Sequence, residues 1–313
     1  MNSTPREGYD PLFLGDDFYV PMPVPGLALQ ENILFADDYR EEFIVDYIHY
    51  SVIMSKFSRQ ALVSAANLDQ SAYKTVKGRK WFIDPRIGEE NQVGSIAYDR
   101  NKWDKGHLTR RTAITWGSDF EAKRASNDSC SYANASPQHE NFNRDEWRVP
   151  EDIVAHFDKD KNNKLCIFTG PVFTELDRWY TREGVYEAFR IPSAFWKVIV
   201  YIDKATDALA CQSFLMYQDE LFTADRRGRR KINIKNYQVT ITEIEKLTGL
   251  DFPEVLFENN PLYFYARDGI NKGPEGFAVP KANKLDDGLV FSRTEAESED
   301  FKKRKRDILE TDL

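Results

Sequence analysis

The sequence predicts an α+β fold with a strand-rich centre. Three observations lead there: short runs of β-branched and aromatic residues, polar turn segments between them, and one well-bounded helix signal late in the chain. The central runs are Leu165 to Phe173, Phe195 to Ile202 and Ala208 to Met216; Gly170-Pro171 is expected to stop the first, and Asp203 to Asp207 to turn the second into the third.

Taken in order, residues 1–40 read as an extended arm over the body, because Pro21, Pro23, Pro25 and Gly26 are closely spaced. Ile44 to Met54 and Ala61 to Asn67 read as two strands flanking the basic bend Lys56 to Arg59. A long loop with short strands is expected from Lys74 to Arg100. From Asp104 to His156 apolar residues thin out and Asn, Ser, Asp, Arg and His accumulate, which suits a functional segment better than a core element. Thr240 to Gly249 reads as a short helix ended by glycine, with Ile241, Ile244 and Leu247 on one face. The body is placed at residues 41–285 and a charged tail at 286–313. The tail opens acidic and turns basic at Lys302 to Arg306, as either a solvated segment or a nuclear-signal or nucleic-acid arm.

Bulk properties narrow the function. A formal charge of −8 argues against a protein that coats nucleic acid, since counterion displacement needs excess Lys and Arg. It leaves room for an enzyme with a local basic cleft. No apolar run approaches the ~20 residues of a membrane span, so no membrane partner is expected. Nor does the N-terminus pair a basic segment with an apolar one, so the expected location is cytoplasmic, or that of a delivered effector. Cys130, Cys166 and Cys211 are odd in number and lack CxxC spacing, and read as reduced structural thiols.

Two clusters carry chemistry. His107 follows Gly106, which would permit close approach of backbone to a ligand, and is surrounded by Lys102, Lys105, Arg110 and Arg111. That is a setting a phosphodiester demands, although a lone histidine is more often structural. Asn134 to Trp147 is rich in asparagine, ordinarily the mark of a loop whose side chains satisfy backbone groups. Beside a histidine general base it acquires a second reading. A hard cation such as Mg²⁺ takes oxygen ligands and keeps several waters, so one amide oxygen plus substrate phosphate oxygens can hold it. A neutral imidazole then removes a proton from the attacking water. Arg79 is a candidate for the fixed cation on the non-bridging oxygens.

At these residues the chain resembles the DNA/RNA non-specific endonuclease family of ββα-metal nucleases. The signature Asp-Arg-Gly-His is matched by Asp104-Lys105-Gly106-His107, Asn-x-x-Pro-Gln by Asn134 to Gln138, Asn-x-x-x-Trp by Asn143 to Trp147, and the following Glu by Glu151. Gly170 to Phe173, Pro192 with Phe195-Trp196-Lys197, and Ile244 to Leu250 match in kind, so the resemblance covers roughly residues 40–255. It implies a mainly antiparallel sheet core with helices and a ββα-metal finger, His107 on a strand or its exit, and Asn143 opening a helix. It implies Mg²⁺ as cofactor, with Mn²⁺ as a substitute, and DNA and RNA cut to 5′-phosphate products. His107 would be the general base, Asn143 the metal ligand, Glu151 the holder of a metal-bound water, Asn134 a positioning group and Arg79 the transition-state cation. Pairing as a homodimer would also follow the family.

One departure stands out: Lys105 occupies the family's arginine position, keeping the charge without the bidentate fork. With the acidic net charge it motivates the alternative of a catalytically weakened nucleic-acid-binding or regulatory module. Arg226 to Lys231, including Arg229, is either a DNA-gripping loop or a solvated hairpin. His139 and His156 read as structural or solvent-exposed, and His49 as a core histidine.

Overall fold

The computed structural model describes residues 5–147, 150, 164–175, 177–185, 187–203, 206–218 and 237–260. It is a mixed fold around a six-stranded antiparallel sheet. In chain order the strands are β1 (Val24–Pro25), β2 (Ile44–Asp46), β3 (Tyr50–Met54), β4 (Ala61–Asp69), β5 (Trp103–His107), β6 (Ala135–His139), β7 (Lys164–Val172), β8 (Arg178–Tyr180), β9 (Phe189–Ile191), β10 (Ala194–Asp203), β11 (Ala208–Tyr217) and β12 (Leu250–Asp251). The helices are α1 (Asp119–Asp128), α2 (Ile241–Thr248) and α3 (Glu254–Glu258). The large sheet runs β11-β10-β7-β4-β3-β2, while β1-β12, β5-β6 and β8-β9 form separate pairs.

Both faces of the sheet are covered, so its central strands read as near-continuous apolar runs, and alternate residues enter different cores. Val63, Ala65, Phe168, Trp196 and Val198 pack against Tyr9, Val20 and Met22 of the N-terminal segment and against Ile241 and Ile244 of α2. On the other face Ala66, Leu68, Ile167, Phe195 and Ile199 meet Leu108, Ala113, Ala125 of α1, Phe142 and Trp147. The functional segment therefore lies on one face, and residues 9–22 and α2 on the other. The proline-rich segment is fixed there by Tyr9 N–H donating to Ser51 Oγ and Asn67 Nδ2 donating to the Asp10 carbonyl.

The helix expected over 240–249 is present, with a capping box between Thr240 and Glu243 and Gly249 at φ +71° as its left-handed end. Three expectations are corrected. Ile44 to Met54 is a hairpin of β2 and β3, not one strand: His49 sits at φ +67°, held by its Nδ1 against the Ile114 carbonyl and its Nε2 against Glu121. Gly170-Pro171 does not stop β7. Pairing with β4 ends at Thr169, so proline, which cannot donate to a ladder, continues the strand beside β10 alone. The 74–100 segment carries 3₁₀ turns at Glu89–Asn91 and Ser95–Tyr98 in place of short strands. Its regular pairing is limited to bridges such as Phe82 with Ser131, because buried Gln92 and Asp84 hold its backbone instead. The three cysteines are free and buried, and burial pushes the Cys166 thiol up to about 12.

Candidate functional site

β5 and β6 pair antiparallel, with Trp103 opposite His139 and His107 opposite Ala135. α1 lies between them in sequence, and a wide turn over Phe142–Glu146 follows β6, closed by Trp147 N–H to the Phe142 carbonyl. Phe142 and Trp147 are buried and stacked on each other, and both touch Phe195 of β10. This anchors the turn to the central sheet. Asp104 of β5 ties it to the hairpin: its carboxylate accepts from Asn143 Nδ2 at 3.0 Å and from Arg144 Nε and Nη2 at 2.9 and 2.8 Å. With Nδ2 committed to Asp104, the amide oxygen is the ligand atom Asn143 has left to offer.

His107, the last residue of β5, is half-buried with its ring 4.7 Å from Trp81. Its Nε2 is enclosed and has no hydrogen-bond partner among the described residues. Burial of the ring, then the guanidiniums of Arg79, Arg111 and Arg110, push its pKa down to about 3. The imidazole is thus neutral at physiological pH by a wide margin.

The sequence did not indicate how Arg79 reaches this histidine. Phe82 N–H donates to the Cys130 carbonyl and Tyr132 N–H to the Phe82 carbonyl, laying the 79–82 segment beside the residues that lead into β6. Trp81 then packs on Tyr132 as well as on His107. Lys105 extends over both aromatic faces, 5.9 Å from the Trp81 centroid and 5.7 Å from that of Tyr132. Arg79 and Lys102 are exposed, whereas Arg110 is half-buried.

Other expected residues sit deeper in the scaffold. Asn134 is fully buried, and its amide is used completely by the scaffold. Oδ1 accepts from Thr109 N–H and Ser64 Oγ, while Nδ2 donates to the Thr109 and Ser129 carbonyls. These bonds hold the chain that leaves His107 in place. Arg111 donates to the Val76 and Gly78 carbonyls and to Ser126 Oγ, so much of its fork holds the loop preceding Arg79. Gly106 makes room for a side chain of the protein instead of a ligand: a Cβ there would lie 2.2 Å from the Gln138 amide. His139 is buried, with its Nδ1 accepting from Asn141 N–H. Glu151, His156, Arg226, Arg229 and the charged tail lie outside the described residues.

Asp104, Arg144 and the Trp81–Tyr132 pair were missed as site-building groups. Asp104 stands inside the signature, and its chemistry as a bidentate acceptor for arginine was the available signal. No group of three His, Cys, Asp or Glu able to hold a metal occurs among the described residues. The donors at the hairpin suit a hard, largely hydrated cation: an oriented amide oxygen, a carboxylate beside it, and no thiolate.

The fold and this hairpin-and-turn unit define a class. A model of the DNA/RNA non-specific endonuclease family matches residues 34–259, and the chain belongs to that family. Among individual relatives, it is 30% identical over 268 residues to the uncharacterized protein y4fB of Sinorhizobium fredii, covering 80% of this chain and 39% of that one. It is 29% identical over 180 residues to a nuclease of Serratia marcescens, covering 56% and 61%, respectively. Against nuclease C1 of Cunninghamella echinulata var. echinulata it is 25% identical over 227 residues, covering 68% and 81%. The chain thus spans 39% and 61% of the first two relatives. A chain of the EndoG/EndoGI complex, described as showing a mechanism of EndoG inhibition, shares the fold at a TM-score of 0.54 and 18% identity, over 67% of this chain and 84% of that one. No helix among the described residues is long and apolar enough to cross a membrane.

Proposed function

We propose that this chain is a Mg²⁺-dependent endonuclease that hydrolyses phosphodiester bonds of DNA and RNA to 5′-phosphate products. The observation that carries the reading is a neutral imidazole, His107, set among guanidiniums at the end of a strand whose Asp104 orients Asn143. The half-buried His107 imidazole takes the proton of the attacking water. A base held so far below neutrality is weak on its own. An approaching phosphodiester brings negative charge that offsets the arginines and restores its affinity for the proton.

Arg79, exposed and near enough to act on His107, holds the non-bridging oxygens. Lys105 adds positive charge from its seat on Trp81 and Tyr132, a placement that needs no bidentate fork. Asn143 would hold the metal, with Glu151 holding one of the waters the metal keeps; when bound, the metal stabilises charge on the phosphorane and on the leaving oxygen. Arg110 and Lys102 attract the backbone of the strand, with Arg226 and Arg229 as further candidates. Mn²⁺ is expected to substitute for Mg²⁺, and pairing of two copies follows the family habit.

The test is incubation of the purified chain with circular double-stranded DNA and with RNA, in Mg²⁺ or in EDTA, beside His107→Ala. Metal-dependent shortening of both substrates, lost in the variant, is expected. A shift in DNA mobility without shortening would replace this reading with that of a binding module.

A further inference from the structure

Residues 70–83 carry Lys74, Lys77, Arg79 and Lys80 and no acidic residue, in a chain whose formal charge is −8. All four cations are exposed. Lys74 is paired with Asp119 at 3.2 Å, whereas Lys77, Arg79 and Lys80 form no ion pair among the described residues. Like charges this close repel one another, a cost that a bound polyanion relieves. The loop that carries them is fixed along its length. Lys74 N–H donates to the Thr115 carbonyl and Phe82 N–H to the Cys130 carbonyl. Between these points the Arg111 guanidinium donates to the Val76 carbonyl at 2.8 Å and to the Gly78 carbonyl at 3.4 Å. A loop that served solubility alone needs no such clamp, since water satisfies exposed carbonyls. At Gly78, with φ +79°, an added Cβ would meet nothing within 4 Å among the described residues, so the backbone there is open to close approach. Arg79 is near enough to lower the affinity of His107 for its proton, which places this row of cations at the reaction centre.

We propose that Lys77 and Lys80 form a backbone rail, taking phosphates of the substrate strand next to the one that Arg79 holds, whatever the bases. The inference rests on the nuclease reading and deepens it: the site engages a run of phosphates in a sugar–phosphate chain, beyond the single one that is cut. The spacing agrees with this partner. Lys77 is two residues from Arg79, so their Cα atoms are at most about 7 Å apart, and phosphates of one strand advance about 3.4 Å per nucleotide along a duplex. Contacts of this kind position a nucleic acid without reading its sequence. They also show how a chain with an acidic total charge can hold a polyanion, through one fixed loop that carries cations alone.

The experiment is fluorescence anisotropy of the full chain in EDTA with labelled DNA duplexes of about 20 base pairs in two unrelated sequences, over about 50–200 mM salt. Lys77→Gln and Lys80→Gln should each make the plot of log affinity against log salt shallower by about 0.9, equally on both sequences. Lys77→Arg should restore the wild-type slope, because it returns the charge. The control is Lys246→Gln: this exposed lysine is on α2, across the sheet from the site, and its loss should leave the slope unchanged. All of these are surface substitutions, so the fold persists. Unchanged slopes in both rail variants, an equal change in Lys246→Gln, a loss confined to one sequence, or no binding without metal each overturns the proposal. Cleavage of the same duplexes is assayed in Mg²⁺ on the same preparation. A chain that cuts while both slopes stay unchanged loses the rail alone, whereas one that shows the expected slopes without cutting keeps the rail and loses the nuclease reading.

Discussion

The helix α2 and the turn over Phe142–Glu146 are both short, yet they are held in opposite ways. α2 carries its own instructions: a Thr240–Glu243 capping box, a left-handed Gly249, and Ile241 and Ile244 on the buried face. The turn has a wide pitch and no capping hydrogen bond from the Asn141 side chain. It is held from elsewhere, by Asp104 on β5 and by Phe142 and Trp147 against Phe195. A helix that only fills a core can be specified locally. One that must place an amide oxygen relative to a histidine on another element is better fixed by that element, since the bond that orients it also sets the distance.

The comparison breaks first at the chemistry. On the nuclease reading, His107→Ala should lower cleavage by about 10²–10⁴-fold with little change in melting temperature, because a half-buried ring is lost rather than a core one. A variant retaining most of its activity would remove His107 from the mechanism. Next, Phe142→Ala should cost about 3–5 kcal/mol in denaturant unfolding, as expected for a fully buried aromatic side chain, and should take activity with it. Asp104→Ala sharpens the contrast: cleavage should fall by about 10–100-fold while stability changes little, since the charged pair with Arg144 is at the surface. Recovery of part of that loss at raised Mg²⁺ would identify the defect as the orientation of Asn143. Smallest, Thr240→Ala should cost about 1 kcal/mol of stability and leave specific activity unchanged, because it removes only a local cap.

Acidity provides a further separation. His107 is held down to about 3 in the folded chain, below its ordinary value near 6.5. The unfolded chain therefore binds this proton first, so the stability associated with the neutral ring is complete above about pH 6.5 and is lost as pH falls toward 3. Replacement by Gln should flatten the stability profile over that window. Parallel wild-type and variant curves there would contradict the burial and arginine effects assigned to the ring.

Much of this was legible in advance where the signal is local. Runs of β-branched and aromatic residues located β4, β7, β10 and β11, and a cap with a terminal glycine located α2, because strand propensity and helix ends act on neighbouring residues. The order Asp104 to His107, Asn134 and Asn143 indicated a family and its chemistry. Where Arg79 sits relative to His107 depends on a bridge between Phe82 and Ser131, 49 residues apart in the chain, and no local pattern encodes it. The same holds for Asn134: a positioning role was expected, and the groups it would position against, Ser64, Thr109 and Ser129, are identified only by the folded chain. The sequence by itself determined the elements and the chemical vocabulary of the site, because those follow from side-chain type and short-range sterics. Tertiary structure decided which groups meet and which are consumed by the scaffold, because hydrogen-bond satisfaction and desolvation are properties of the assembled interior.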